Sequence, residues 1–253
     1  MSEESESVKL KRVSEAKTES ATFIEGLPGN GLVAAITVDQ MVRQLNLTHF
    51  GSLQSDQFPR VTSFKDGRIH DPIRLHSGSE PPVITLQSDM ILPPSNFLEL
   101  GNCLQTELAT EVDRGLFIVG APAESEDEIG QIQGMASTDG LQAELRGANI
   151  PLADGSGLVG GVTGALAKGF YEGGIPTAVL IVKTNPFFPD PTAAQSLIEN
   201  AIEPMVDFDI ETTELEQQAD AIEDELEQIA DHYQQIVQEQ QDTAQSPMPN
   251  MYQ

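Results

Sequence analysis

Residues 21–45, ATFIEGLPGNGLVAAITVDQMVRQL, decide the fold of this 253-residue chain. Residues 21–27 are almost all apolar and predict a buried β-strand, because a strand covered on both faces lacks the polar alternation of a half-exposed one. The turn PGNG follows at 28–31. In residues 32–45 the apolar side chains recur at helical spacing. The stretch therefore predicts a strand, a tight turn and a helix.

The same alternation continues along the chain. Apolar runs at 115–122 and 176–184 predict two more buried strands. Helices are predicted over 93–113 and 157–174, and 185–206 predicts a Pro-rich loop and then a helix capped near Asp190 with Pro191 in its first turn. Shorter strands are predicted in 48–88, with a turn at Asp66-Gly67. Alternating strands and helices predict an α/β domain over residues 21–207, with a mostly parallel sheet flanked by helices.

The composition is strongly acidic. Asp and Glu number 40 against 13 Lys and Arg, which gives a formal charge of −27. A nucleic-acid partner is not expected, because phosphate contacts need a basic surface. The patterned apolar stretches argue against disorder. The charge favours a hydrated acidic shell suited to a halophilic cytosol, where salt screens the self-repulsion; an ordinary acidic surface is the alternative.

Several features bear on the compartment. Residues 1–20 lack the apolar region of a signal peptide and predict a flexible N-terminal lead. Cys103 is the single cysteine, which excludes an intramolecular disulfide, and its surroundings favour helix packing over nucleophilic chemistry. No apolar run reaches the ~18–20 residues that span a bilayer. We expect a soluble, cytoplasmic protein with no membrane partner.

Residues 208–242 differ in kind from the domain before them. Between Glu211 and Asp242 there is no Lys, Arg, Gly or Pro. Apolar side chains recur there at alternating spacings of four and three, which predicts an acidic coiled-coil helix that drives homo-oligomerisation. A helix packed on its own domain, or one that binds a helix of another protein, is the alternative. The predicted seam consists of Leu215, Ala219, Ile222, Leu226, Ile229, Tyr233 and Ile236.

One glycine motif suggests a ligand. Gly29, Gly31 and Ala34 form a G-x-G-x-x-A pattern between a strand and a helix, which is the context of a dinucleotide fingerprint. Asp56 is a weak candidate for the ribose-binding acid. Turn chemistry at the glycines explains the same residues. The alternative function is therefore a nucleoside- or dinucleotide-binding protein or enzyme that uses the Gly26–Gly31 loop.

Signatures of other chemistry are missing from the sequence. No G-x-x-x-x-G-K motif occurs, and Lys168 has the wrong spacing for one. No two histidines lie three or four residues apart, as a metal site on a helix would have them. His70-Asp71 fits an exposed turn better than a proton-transfer pair. The sequence predicts a protein that is not an enzyme, with no catalytic residue, no cofactor and no metal.

The segments 23–45 and 160–182, with DPTAA at 190–194, resemble archaeal members of the proteasome assembly chaperone family. The resemblance covers residues 20–206. It implies a fold similar to that of purine nucleoside phosphorylases, assembly into homo-oligomers and no catalysis.

The final residues, SPMPNMYQ at 246–253, carry a second resemblance. Met251, Tyr252 and Gln253 are similar to the hydrophobic–Tyr–any tripeptide with which proteasome activators dock on the core particle. The resemblance implies that the terminal carboxylate pairs with a lysine between adjacent α-subunits, while Tyr252 packs at the pocket mouth. Prolines keep the predicted flexible tail, 243–253, extended. Whether such docking assists assembly or activates the core particle is left open.

Overall fold

The computed structural model describes residues 8–18 and 20–219. The strands in this part of the chain are β1 (Lys9–Arg12), β2 (Ala21–Gly26), β3 (Thr48–Gln54), β4 (Ser63–Lys65), β5 (Arg68–His70), β6 (Ile73–Ser79), β7 (Pro82–Ser88), β8 (Val112–Pro122), β9 (Ile132–Ala136) and β10 (Thr177–Thr184). The helices are α1 (Val33–Gln44), α2 (Phe97–Glu107), α3 (Asp139–Gly147), α4 (Gly161–Glu172), α5 (Pro191–Leu197) and α6 (Glu203–Val206), followed by helical residues 213–219.

Eight of these strands form one sheet in the order β1-β3-β6-β7-β2-β8-β10-β9. The four central strands, β7, β2, β8 and β10, are parallel. β6, β3 and β1 extend the sheet antiparallel on one side, and β9 does so on the other. The predicted α/β fold class is confirmed, with a mixed sheet. A tight turn joins β6 to β7, and such a turn can connect antiparallel strands only.

Part of the predicted N-terminal lead belongs to the sheet, which corrects the expectation for residues 1–20. β1 pairs with β3 at the sheet edge. Arg12 fixes its position, with its guanidinium 2.8 Å from the Glu111 carboxylate and 5.6 Å from the ring centre of Phe50. The strand was missed because it is short and mostly polar, which is typical of a solvated edge.

Apolar layers cover both faces of the sheet. On one face α2 and α4 pack over Phe23 of β2 and Phe117 of β8, and the ring centre of Phe170 in α4 lies 4.8 Å from that of Phe23. A Cβ on Gly101 of α2 would lie 3.0 Å from the carbonyl oxygen of Ala165 in α4, so the small residue permits close helix packing. On the other face lie α1, α3, α5 and α6. The parallel core is thus buried on both sides, as its apolar runs predict.

The helix after β10 begins where the sequence predicts. The Asp190 carboxylate accepts a hydrogen bond from the Ala193 N–H at 2.8 Å, and Pro191 occupies the first turn. Residues Ile198–Ile202 form a π-helical turn before α6. Pro204 accounts for the irregularity, because proline cannot donate to a carbonyl one turn back and its ring crowds that carbonyl.

Candidate interaction face at the carboxyl ends of the parallel strands

The carboxyl ends of the four parallel strands share one edge of the sheet. The loops that follow them, 27–32, 89–96, 123–131 and 185–190, therefore lie on one side of the domain. The β4–β5 hairpin lies on the same side, because β3 runs in the same direction as β7 and leads into it. We call this side the carboxyl-end face. In open α/β sheets it is the usual place for binding.

Exposed apolar side chains are concentrated on this face. Among the described residues, most large apolar side chains that are open to solvent lie in its loops, in its β4–β5 hairpin or at the first turn of its helices. Leu158 is fully exposed and Phe187 is 84% exposed. Exposed apolar side chains concentrated on one side of a domain are typical of a site for a partner. The set is Leu32, Val61, Phe64, Ile69, Ile91, Leu98, Leu158, Phe187 and Phe188.

A cleft of about 260 Å³ opens at the centre of this face, between the turn after β2, the end of β8 and the start of α4. Glycines line much of it, including Gly29, Gly120 and Gly160. The side-chain amide of Asn30 donates a hydrogen bond to the Gly120 carbonyl at 3.0 Å and holds the turn after β2 against the end of β8.

Packing explains two glycines of the Gly26–Gly31 loop. A Cβ on Gly26 would lie 2.5 Å from the Cβ of Val38, where α1 crosses β2. Gly31 has a φ of +61°, and a Cβ there would lie 1.9 Å from the Thr184 hydroxyl. Gly29 differs, since no atom lies within 4 Å of its Cβ position. Close approach of strand, helix and loop therefore requires Gly26 and Gly31 without any ligand.

Glu25 lies beneath the cleft and is completely buried. Its carboxylate accepts hydrogen bonds from the N–H of Leu27 at 3.0 Å and of Ile118 at 3.3 Å, and from the Thr163 hydroxyl at 3.4 Å. Burial raises the pKa of Glu25 to about 7, against the opposing effect of these hydrogen bonds. Glu25 was not predicted as a site residue from the sequence, although an acid within the apolar run ATFIEGL was the available signal.

A second polar cluster anchors the β4–β5 hairpin. The guanidinium of Arg74 lies 2.6 Å from the Asp89 carboxylate and donates to the Asp71 carbonyl at 2.6 Å. Burial opposes ionisation of Asp89, but hydrogen bonds from Arg74 and Ser63 outweigh it and lower the pKa of that carboxyl. His70 lies in this cluster, 2.7 Å from Arg74. The His70-Asp71 pair is therefore part of a structural network.

The end of the described chain returns to the carboxyl-end face. Glu211 contacts Gln44 at the far end of α1, and its N–H donates to the Gln44 side-chain oxygen at 2.9 Å. Gln218 lies with Leu32 and Asp89 at the near end. Helical residues 213–219 thus run antiparallel to α1, and Gln218, near their end, lies at the carboxyl-end face.

Two seam residues of the predicted coiled coil lie in the described chain. Leu215 is fully buried in the apolar core of its own domain, next to α1 and α5. Its packing is therefore intramolecular, as the alternative for this segment proposed. Ala219 is half-buried at the end of the described helix. The remaining predicted residues lie outside the described part of the chain: Ile222, Leu226, Ile229, Tyr233, Ile236, Met251, Tyr252 and Gln253.

Other candidate positions have structural roles. Lys168 pairs with Glu172 one turn along α4. Cys103 is half-buried in α2, and burial raises the pKa of its thiol to about 11, which disfavours the nucleophilic thiolate. Across residues 8–18 and 20–219, no three His, Cys, Asp or Glu side chains are grouped as metal ligands. Within those same ranges no helix is long and apolar enough to cross a membrane.

Comparison with known proteins identifies the family. The sequence profile of the PAC2 family matches residues 23–230. An uncharacterised protein of Methanocaldococcus jannaschii is 26% identical over 218 residues, which are 86% of this chain and 89% of that protein.

Solved structures agree in fold. Pyrococcus furiosus PbaA, described as an archaeal homolog of proteasome-assembly chaperone, superposes with a TM-score of 0.80 at 22% identity, covering 93% of this chain and 97% of that one. Pyrococcus furiosus PbaB, described as an archaeal proteasome activator, gives 0.76 at 18% identity, covering 89% and 99%. Because the family profile matches most of this chain and the solved structures share its fold, the chain belongs to the PAC2 family.

Proposed function

We propose that this protein is a non-enzymatic proteasome assembly chaperone or core-particle adaptor. Its membership of the PAC2 family carries the proposal, since structurally similar proteins are described as a proteasome-assembly chaperone homolog and a proteasome activator. The apolar carboxyl-end face supports it, because an exposed apolar surface on a highly charged protein fits a protein partner better than a small ligand.

The proposed contact is the C-terminal tail. Met251, Tyr252 and Gln253 dock between adjacent α-subunits of the core particle, with the free carboxylate of Gln253 paired to a lysine. This mode of capture needs a free terminus and an aromatic anchor with little rotamer entropy to lose. Self-association along the seam from Ala219 to Ile236 presents several tails at once, and such multivalency raises avidity by ~10²–10⁴.

Binding to purified core particle tests this contact. Deletion of residues 251–253, or Tyr252→Ala, is expected to weaken binding by roughly 100-fold, the scale of a lost multivalent contact. Gln253→Ala is the matched control, because it changes the last side chain and keeps the carboxylate; it is expected to bind as the parent does. Equal binding by the deletion variant would refute tail docking.

The same samples separate the two activities. An activator increases peptide hydrolysis by mature core particle, whereas an assembly chaperone increases the yield of core particle from separate α- and β-subunits. Each variant is measured in both assays. A full-length protein that changes neither rate nor yield would refute the proteasome role as a whole.

The glycine-lined cleft supports an alternative function, the binding of a small ligand. Its position at the carboxyl ends of the parallel strands and the buried Glu25 beneath it favour a small ligand such as a nucleoside. Thermal-shift measurements with nucleosides, phosphate and dinucleotides test this. A rise in melting temperature that Asn30→Ala abolishes would support the alternative, and no shift across the panel would dismiss it.

A further inference from the structure

The β4–β5 hairpin presents an unusual surface for so acidic a protein. Phe64 and Ile69 face each other across its two strands and are 77% and 79% exposed. Val61 precedes them and is also exposed. Arg60, Lys65 and Arg68 flank this apolar group. We call Arg60, Val61, Phe64, Lys65, Arg68 and Ile69 the hairpin surface.

The charge of the hairpin surface is exceptional. The chain has 40 acidic and 13 basic residues, yet three of those basic residues lie within these nine positions, 60–68, against the single acid Asp66. Neither Arg60 nor Arg68 forms an ion pair with any residue in the described part of the chain. The surface therefore suits an acidic segment that also carries apolar side chains.

The helix at the end of the described chain leads towards this surface. Glu214 pairs with Arg43 at 3.1 Å, Arg43 pairs with Asp39 at 3.0 Å, and Asp39 accepts Lys65 of the hairpin at 3.4 Å. Gln218 lies one turn beyond Glu214, in a cleft with Asp39, Gln87 and Asp89. The same three residues line the neighbouring cleft beneath the hairpin.

The sequence that follows has the complementary character. Residues 220–230, DAIEDELEQIA, contain five acids and no base. Ile222, Leu226 and Ile229 recur in it at helical spacing. As a helix these 11 residues would extend ~16 Å, three turns beyond the point where Gln218 already meets residues next to the hairpin.

We propose that residues 220–230 dock on the hairpin surface of their own chain. Ile222 and Leu226 cover Phe64 and Ile69, while Glu223 and Glu225, which flank this stripe on the helix, face the arginines and lysine. Because docking occupies Ile222 and Leu226, the residues left for the self-association described under the proposed function are Ile229, Tyr233 and Ile236. Docking follows from the described contacts of residues 213–219 with the domain and does not depend on any proteasome role.

Hydrogen exchange on the full chain tests the docking. Amides of 220–230 are expected to exchange at least ~10-fold more slowly in the parent than in the double variant Phe64→Ser/Ile69→Ser, because docking protects them from local opening. Leu158→Ser/Phe187→Ser is the matched control, since it removes equally exposed apolar groups elsewhere on the carboxyl-end face. Equal exchange in the parent and the hairpin variant would overturn the proposal.

A charge test and a cross-link identify the contact. Lys65→Glu/Arg68→Glu is expected to speed exchange in 220–230, and adding Glu223→Lys/Glu225→Lys is expected to restore protection. In a Cys103→Ala background, the substitutions Ile69→Cys and Ile222→Cys should allow a disulfide to form within one chain. A cross-link that doubles the mass on a non-reducing gel would show docking on a second copy instead, and the absence of any cross-link would likewise contradict the proposal.

Discussion

The guanidinium of Arg43 in α1 lies 3.1 Å from the carboxylate of Glu214, which is 171 positions further along the chain. Both side chains are substantially exposed, and ion pairs of this kind contribute only ~0–1 kcal/mol. The next residue, Leu215, is fully buried. Its burial, more than the ion pair, fixes the last described helix on the domain.

Leu215→Ala tests this division. Removing a fully buried leucine side chain is expected to lower the free energy of unfolding by about 2–5 kcal/mol, because it leaves a cavity in the core. Leu158→Ala is the control, since Leu158 is fully exposed, and it should change stability by less than about 0.5 kcal/mol. Chemical denaturation of the full chain measures both. A neutral Leu215→Ala would mean that the helix does not pack on the domain.

Glu25 is expected to make stability depend on pH. Burial raises its folded-state pKa from 4.5 to about 7, so between these values the folded protein binds the proton and the unfolded chain releases it. Stability contributed by the protonated carboxyl is therefore fully present below pH 4.5 and is lost as the pH rises towards 7. The shift corresponds to roughly 3 kcal/mol.

Glu25→Gln isolates this effect. Glutamine does not titrate, so the variant should lose less stability than the parent between pH 5 and pH 8, measured as denaturation midpoints at each pH. The quantity to compare is the slope of stability against pH. The absolute stability is not informative, because the glutamine amide group donates where the Ile118 N–H needs an acceptor, and this lowers stability at every pH. Identical slopes for the two proteins would show that Glu25 titrates normally.

The glycine turn gives a matched pair of variants. Gly31→Ala places a methyl group 1.9 Å from the Thr184 hydroxyl at a φ of +61°, and should destabilise the fold by about 2 kcal/mol or more. Gly29→Ala meets open space in an extended backbone and should change stability by less than about 0.5 kcal/mol. Thermal unfolding compares them. Equal melting temperatures for the two variants would show that packing does not require Gly31, and a role in ligand binding would then explain this glycine better.

Salt is expected to stabilise the protein. A formal charge of −27 on 253 residues produces self-repulsion in the compact state, and the screening length falls from about 10 Å at 0.1 M to about 3 Å at 1 M salt. The melting temperature should therefore rise from 0.1 M to 2 M KCl. A protein most stable at low salt would contradict the halophilic interpretation.

The parallel core was predictable because each element carries its own pattern. The apolar runs at β2, β8 and β10 indicate burial on both faces, and Asp190-Pro191 marks a helix start by local hydrogen bonding. The Asp66-Gly67 turn was also predicted, and both residues have the positive φ that a tight hairpin requires.

What was missed depends on partners distant in the chain. β9 and α3 lie in a polar region whose few apolar residues, such as Leu141 and Leu145, become meaningful only once the sheet exists to bury them. The predicted helix over 93–113 ends earlier, at Glu107, because β8 already starts at Val112. Leu215 is the sharpest case, since a stripe of this spacing is the same whether it faces a second helix or its own domain.

The direction of α4 has a practical consequence for surface immobilisation. This helix starts at the carboxyl-end face and finishes on the opposite side, where Tyr171 is 63% exposed. A cysteine introduced there would be the reactive thiol at neutral pH, because the native Cys103 has its pKa raised to about 11. A sensor chip coupled through Tyr171→Cys would hold every molecule in one orientation, with the apolar loops, the hairpin and Gln218 all turned towards the analyte.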